Sequence, residues 1–139
     1  PKPEPSTTKK NSKKLEKVDL VDVVSSALLS CSPLIETNGI NVVFKASGDE
    51  ILIRSDREIL SQVINDLILN AVRNTPAGKH IYAYISRIEE TVRCEIIDEG
   101  GDPGESAATN DLTRFIWAEI RREGMLGKGS AYIIEFPNN

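Results

Sequence analysis

Four polar residues stand at helical spacing between Asp56 and Pro76: Asp66, Asn70, Arg73 and Asn74, at i, i+4, i+7 and i+8. That spacing places a carboxylate, two amides and a cation along one helix face. Such a set can hold a magnesium ion and the phosphates it bridges, because magnesium takes hard oxygen ligands and only one or two of them from protein. The same spacing also describes an ordinary solvent-facing helix side. A second polar group follows a strand-like run and reads Asp98-Glu99-Gly100-Gly101-Asp102-Pro103-Gly104. Here a carboxylate sits among glycines that let backbone approach a ligand, although a lone Asp-Gly turn commonly just ends a strand. A third group, Gly127-Lys128-Gly129-Ser130, is a glycine turn before a final strand and carries no function alone.

These residues need a scaffold to bring them together. Ile59, Leu60, Val63, Ile64, Leu67, Ile68 and Ala71 form one broad apolar stripe opposite the polar face, predicting a helix capped by Ser55 or Asp56 and running to about Asn74. Thr75-Pro76-Ala77-Gly78 ends it. Upstream, Leu20, Val23, Val24, Ala27, Leu28, Cys31 and Leu34 recur at helical spacing after the capping residue Asp19, with a kink expected at Pro33 and a stop at Asn38-Gly39. Strands are predicted at Ile40–Ala46, Ile51–Arg54, His80–Arg87, Thr91–Asp98 and Ser130–Phe136, and a further helix at Leu112–Arg122. This order predicts an α/β (α+β) two-layer sandwich: a mixed, mostly antiparallel sheet of about five strands with about three helices on one face. Residues 1–17 carry Lys2, Lys9, Lys10, Lys13, Lys14 and Lys17 against Glu4 and Glu16, and read as a basic flexible linker ahead of one domain at 18–139.

Composition narrows the function. A formal charge of −4 argues against nucleic acid as a partner, since phosphate backbones select basic surfaces. Cys31 and Cys94 lie in apolar runs without a CxxC partner and His80 is the only histidine, which excludes a zinc site and predicts buried, reduced thiols. No apolar run reaches the roughly 18–20 residues that span a bilayer, so no membrane contact is expected from the chain itself. Its abrupt start at Pro1 fits a piece cut from a longer protein.

Taken together, Gln62-Val63, Asp66-Leu67, Asn70-Ala71 and Thr75-Pro76, then Asp98-x-Gly100, then Gly129-Ser130 ahead of an alternating strand ending at Pro137, resemble the ATP-binding domain of two-component sensor histidine kinases, the Bergerat (GHKL, HATPase) fold shared with gyrase. The resemblance covers about residues 18–104 and 127–137. It implies ATP and Mg2+ as cofactors where the site is functional, with Asn70 the magnesium ligand and Asp66 beside the phosphates, assisting the chemistry. Arg73 stands where the family has a lysine, and Asn74 where it has an aromatic packed by the nucleotide. Asp98 corresponds to the acceptor of the adenine amino group, Gly100 to the first glycine of the Asp-x-Gly-x-Gly box, and Ser130 to the threonine that supports adenine recognition. The second glycine of that box is replaced by Asp102, and the next glycine is Gly104. An active member would transfer phosphate from ATP to a protein histidine. The partners implied are other domains of a sensor kinase or a response regulator, with any homodimer formed through regions outside the chain. The location implied is the cytoplasm, or the cytoplasmic part of a membrane-bound receptor.

The chain departs from that family in the segment expected to hold phosphates. Only Glu105-Ser-Ala-Ala-Thr109 separates Gly104 from the expected helix, there is no second glycine run, and the strand before the last turn reads as reduced to Met125-Leu126. No phosphoacceptor helix is present, and His80 opens a strand. Charge-assisted hydrogen bonds contribute about 1.5–3 kcal/mol each. Losing two or three backbone amides would weaken triphosphate binding by about a hundred to many thousands, at about 1.4 kcal/mol per tenfold. Two readings follow: a degenerate, regulatory or interaction module with weak or absent ATP binding, which this arithmetic favours, and a working Mg-ATP catalytic module acting on a histidine of a separate domain. The first carries a further expectation, that the helix Leu112–Arg122 fills the nucleotide cleft with Phe115, Ile116 and Trp117.

Overall fold

The computed structural model describes residues 15–100, 118–125 and 129–137. Among these the chain forms, in order, β1 (Glu16–Asp19), α1 (Leu20–Ser30), α2 (Ser32–Thr37), β2 (Asn41–Ala46), β3 (Leu52–Ser55), α3 (Arg57–Asn74), β4 (His80–Ile88), β5 (Thr91–Asp98), β6 (Glu119–Met125) and β7 (Gly129–Pro137). The apolar stripe of the polar-faced helix decides the architecture. Leu60, Val63, Ile64, Leu67, Ile68 and Ala71 of α3 are all fully buried. Each large aliphatic among them contributes about 1.5–3 kcal/mol of burial. They pack on the alternate side chains of the central strands: Ile81, Ala83 and Ile85 of β4, Val92, Cys94 and Ile96 of β5, and Tyr132, Ile134 and Phe136 of β7.

The main sheet has five strands in the order β2-β4-β5-β7-β6, with β2 parallel to β4 and every other pair antiparallel. The expected layered architecture is therefore present, with a separate two-stranded pairing of β1 and β3 beside it. That pairing is an addition to the expectation, since β1 opens at Glu16, inside the stretch read as linker. It is a four-residue strand defined by its partner rather than by its own pattern. Asp19 then does two jobs: its carboxylate accepts from Val21 N at 3.1 Å, capping α1, and from Ile51 N at 3.1 Å, pinning the start of β3.

Pro33 does more than kink the first helical stretch. Helix α1 ends at Ser30, Cys31 caps it, and a separate α2 begins with Pro33 in its first turn, where the missing N–H costs nothing. Asp56, not Ser55, caps α3, accepting from Ile59 N at 3.1 Å.

The expected helix at Leu112–Arg122 is overturned where it can be compared. Residues 112–117 lie outside the described residues, and Glu119–Arg122 belong to β6, which pairs antiparallel with β7 from Glu119↔Glu135 to Met125↔Gly129. Its seven residues also replace the expected remnant at Met125-Leu126. Local spacing of Ile116 and Ile120 suggested a helix, but β7 needs a partner for the backbone groups on its far side. The charges of Glu119, Arg121 and Glu123 suit an edge strand. Arg121 bonds Glu123 at 3.1 Å and reaches Glu135 at 3.4 Å, while Arg93 bonds the same Glu135 at 2.7 Å. The residues expected to fill the cleft, Phe115, Ile116 and Trp117, lie outside the described residues, while Glu119–Arg122 extend the sheet.

Candidate functional site

The last residue of β5 and the first residues of β7 lie side by side, and this brings the second and third polar groups of the sequence together. Asp98 pairs in register with Ser130. Both side chains point to the helix layer and are buried, Asp98 at 2% and Ser130 at 1% exposure. Gly100 N–H donates to Asp98 Oδ1 at 2.9 Å, and Ser130 Oγ donates to Oδ2 at 3.2 Å. Each oxygen keeps a lone pair for a further donor.

Two glycines make the approach possible. A Cβ on Gly100 would lie 2.6 Å from the backbone carbonyl carbon of Asn74 and 2.8 Å from its Cβ. Gly129 has φ +100°, and a Cβ there would lie 2.9 Å from the carbonyl carbon of Asp98. The end of β5, the start of β7 and the C-terminal turn of α3 therefore converge on one place, with no room for a side chain at either glycine.

Helix α3 brings its polar face to the same place. Asn74 abuts Gly100, and its Nδ2 is buried without a hydrogen-bond partner among the described residues, an uncommon state. Thr75 turns its hydroxyl back to the Ala71 carbonyl at 2.8 Å and closes the helix. Four residues earlier than Asn74, half-buried Asn70 donates from Nδ2 to the hydroxyl of Tyr132 at 3.1 Å. Asp66 is half-buried and Arg73 exposed, and neither side chain has a hydrogen-bond or ion-pair partner among the described residues. The structure thus gathers Asp98, Gly100, Ser130 and Asn74 into one cluster and ties Asn70 to the same strand β7. Asp66 and Arg73 share the helix without touching the cluster through any side-chain bond. Gly104 lies outside the described residues.

Among the described residues no group of three or more His, Cys, Asp or Glu side chains could hold a metal. A divalent cation here would draw most of its ligands from phosphate and water and take an oxygen from Asn70, which fits magnesium. The carboxylate with spare lone pairs and the Asn74 amide without a partner among the described residues fit an adenine base, whose exocyclic amine donates and whose ring nitrogens accept.

Two features of the neighbourhood escaped the sequence. Tyr132 was read only as an apolar member of the last strand, yet a buried tyrosine hydroxyl generally needs a polar partner, and strand alternation puts it on the side of Ser130. Glu99, between the two residues that matter, is held from the opposite face of the sheet. Tyr82 donates to Glu99 Oε2 at 3.1 Å, and His80 Nδ1 lies 3.6 Å from the same oxygen and stacks on Tyr82 at 5.7 Å between ring centroids. The hydrogen bond to Glu99 chiefly, with burial and the nearby negative charge, pushes the Tyr82 phenol above its ordinary range. His80 thus has a structural place beside the loop. Both cysteines are buried and free, and burial raises each thiol, that of Cys94 to about 12.

Known proteins resemble the chain over this framework. No protein-family model matches it. It is 30% identical over 126 residues, 87% of its length, to the sensor histidine kinase MtrB of Mycolicibacterium paratuberculosis, covering 22% of that protein. It is 33% identical over 106 residues, 76% of its length, to the sensor protein KdpD of Clostridium acetobutylicum, covering 12% of it. The chain thus spans less than a quarter of these relatives, 22% and 12% of their lengths. The catalytic domain of histidine kinase ThkA superposes with a TM-score of 0.77 at 18% identity, covering 90% of this chain and 96% of that one. A complex of ThkA with the response regulator TrrA matches with a TM-score of 0.78 at 16% identity, over 90% of this chain and 42% of that one. No described helix is long and apolar enough to cross a membrane. The chain is a domain with the fold of histidine-kinase catalytic (ATP-binding) domains, and its homologues are the sensor histidine kinases of two-component signalling.

Proposed function

We propose that this domain binds adenine nucleotide chiefly through the base, holds Mg-ATP weakly, and serves a sensor kinase as a regulatory or interaction module. The observation that carries this reading is the buried Asp98, fixed by Gly100 and Ser130 and left with acceptor capacity near the Asn74 amide, whose Nδ2 has no hydrogen-bond partner among the described residues. Asp98 would accept from the exocyclic amine, Ser130 would hold that carboxylate in place, and Gly100 would keep the end of β5 packed on the last turn of α3. Asn70 would present an oxygen to magnesium, and Arg73 would offer its unpaired guanidinium to phosphate. Bound ATP would supply the transferable phosphoryl group, and Mg2+ would offset its charge. Weak hold on the triphosphate is supported by the absence of glycine from residues 105–118 and by Asp102 at a glycine position, which brings a negative charge.

A second reading, a working catalytic module that phosphorylates a histidine on a separate domain, is favoured by one observation. Asp66 and Arg73 flank Asn70 without partners of their own among the described residues, as groups awaiting a ligand would. In either case the partners proposed are other domains of a sensor kinase or a response regulator, as the ThkA–TrrA complex suggests, with the domain working in the cytoplasm. The test is an amide NMR titration with Mg-ATP and Mg-ADP, repeated with Asp98→Asn and Asn70→Ala. Saturable millimolar-range shifts at the end of β5 that Asp98→Asn abolishes support base-led binding. Micromolar Mg-ATP affinity supports the catalytic reading, and no shifts at millimolar nucleotide overturn both.

A further inference from the structure

Strand β7 touches both polar clusters of the site. Ser130 holds Asp98, and two residues further along the same face the hydroxyl of Tyr132, itself 3% exposed, meets the amide of Asn70 at 3.1 Å. The side-chain amide of asparagine is nearly symmetric in shape, so its partners decide which way its oxygen points. A cation attracts the amide oxygen and repels the NH2 group. An orientation that serves a cation must therefore give the NH2 an acceptor on the other side. A tyrosine hydroxyl accepts as well as donates, so it satisfies Nδ2 in that orientation. With Nδ2 engaged, Oδ1 makes no hydrogen bond among the described residues.

We infer that Tyr132 is a positioning residue for divalent-cation binding, holding the Asn70 amide so that its oxygen, and not its NH2 group, is presented to the metal of a bound Mg-nucleotide. This rests on the proposed reading of the site as a nucleotide site. It also makes β7 the common support of the base end and the metal end. Tyr132→Phe keeps the ring that packs in the core and removes only the hydroxyl.

The experiment has two readouts on the 139-residue chain. The first is the side-chain NH2 resonances of Asn70 in the nucleotide-free protein. The second is ADP affinity with Mg2+ and with EDTA, for wild type, Tyr132→Phe and Tyr132→Phe/Asn70→Asp. In Tyr132→Phe the Asn70 NH2 resonances are expected to move. ADP affinity in EDTA should stay within about twofold, while the gain in affinity on adding Mg2+ falls about fivefold, the worth of a typical hydrogen bond. Asn70→Asp, whose carboxylate offers an oxygen in either orientation, should restore the gain. An unchanged Mg2+ gain in Tyr132→Phe, beside a clear gain in wild type, overturns the role of Tyr132 alone. A wild type that binds no ADP, or binds it without any Mg2+ gain, overturns the nucleotide reading and this inference with it.

Discussion

Replacing Ser130 by Ala removes one of the two hydrogen bonds that the structure gives the Asp98 carboxylate, and the cost can be worked from the geometry. The bond is 3.2 Å long, between side chains that are 1% and 2% exposed, so water does not readily replace it. A hydrogen bond to a charged group contributes about 1.5–3 kcal/mol, and a length at the long end places this one at the low end of that range. Gly100 N–H remains on the other oxygen, so the carboxylate is not stripped. The expected loss is about 1–2 kcal/mol. With a urea dependence of about 1.5 kcal/mol per molar, the unfolding midpoint should fall by about 1 M. A double-mutant cycle in urea with Ser130→Ala and Asp98→Ala isolates the pair, with an expected coupling of about 1–2 kcal/mol. Ser130→Thr, which keeps the hydroxyl, should recover most of it. Additive effects within about 0.5 kcal/mol would refute the reasoning, because the two side chains would then not be sharing a bond.

Gly100→Ala should lower stability by about 1–3 kcal/mol in the same assay, since its Cβ would overlap Asn74 backbone rather than a flexible side-chain tip; a neutral effect would show that the loop is not packed on α3. The Glu135 carboxyl is held below its ordinary range, first by its hydrogen bond to Arg93 and then, against its own desolvation, by the nearby Arg121. A depressed folded-state pKa gives stability that is present above the unfolded carboxyl value, about pH 4.3, and lost as pH falls through the lower folded value. Glu135→Gln should therefore make the acid limb of a stability–pH profile shallower, and an identical limb would contradict the ion pair. Burial raises the Cys94 thiol to about 12, so iodoacetamide at pH 8 should label it only on unfolding, as mass spectrometry with and without urea would show.

The parts legible in the sequence are those whose signal is local and long. The seven-residue stripe of α3 and the alternation of β5 fix their elements because each buries one face against a single partner layer, and β5 spans Thr91–Asp98 as expected. Asp98, Gly100 and Ser130 could be singled out as types, but their meeting depends on the β5–β7 register, a contact between residues 32 apart. What the sequence hid is set by partners far along the chain. Strand β1 is a strand only because β3 lies beside it, and β6 only because β7 has an edge to pair. Its Ile120 also fits a helical spacing from Ile116, and local periodicity cannot choose between the two. The Asn70–Tyr132 bond spans 62 residues and joins two elements whose own patterns call each residue simply polar or apolar.

The central claim is that Asp98 reads the base, and a comparison of ADP with GDP by calorimetry tests it most directly. Adenine offers an exocyclic amine to the carboxylate, whereas guanine offers a carbonyl oxygen at that position and would set two acceptors against each other. The expected result is saturable ADP binding, GDP at least tenfold weaker, and loss of that preference in Asp98→Asn. Equal binding of the two nucleotides, or an ADP preference that survives Asp98→Asn, would contradict the claim.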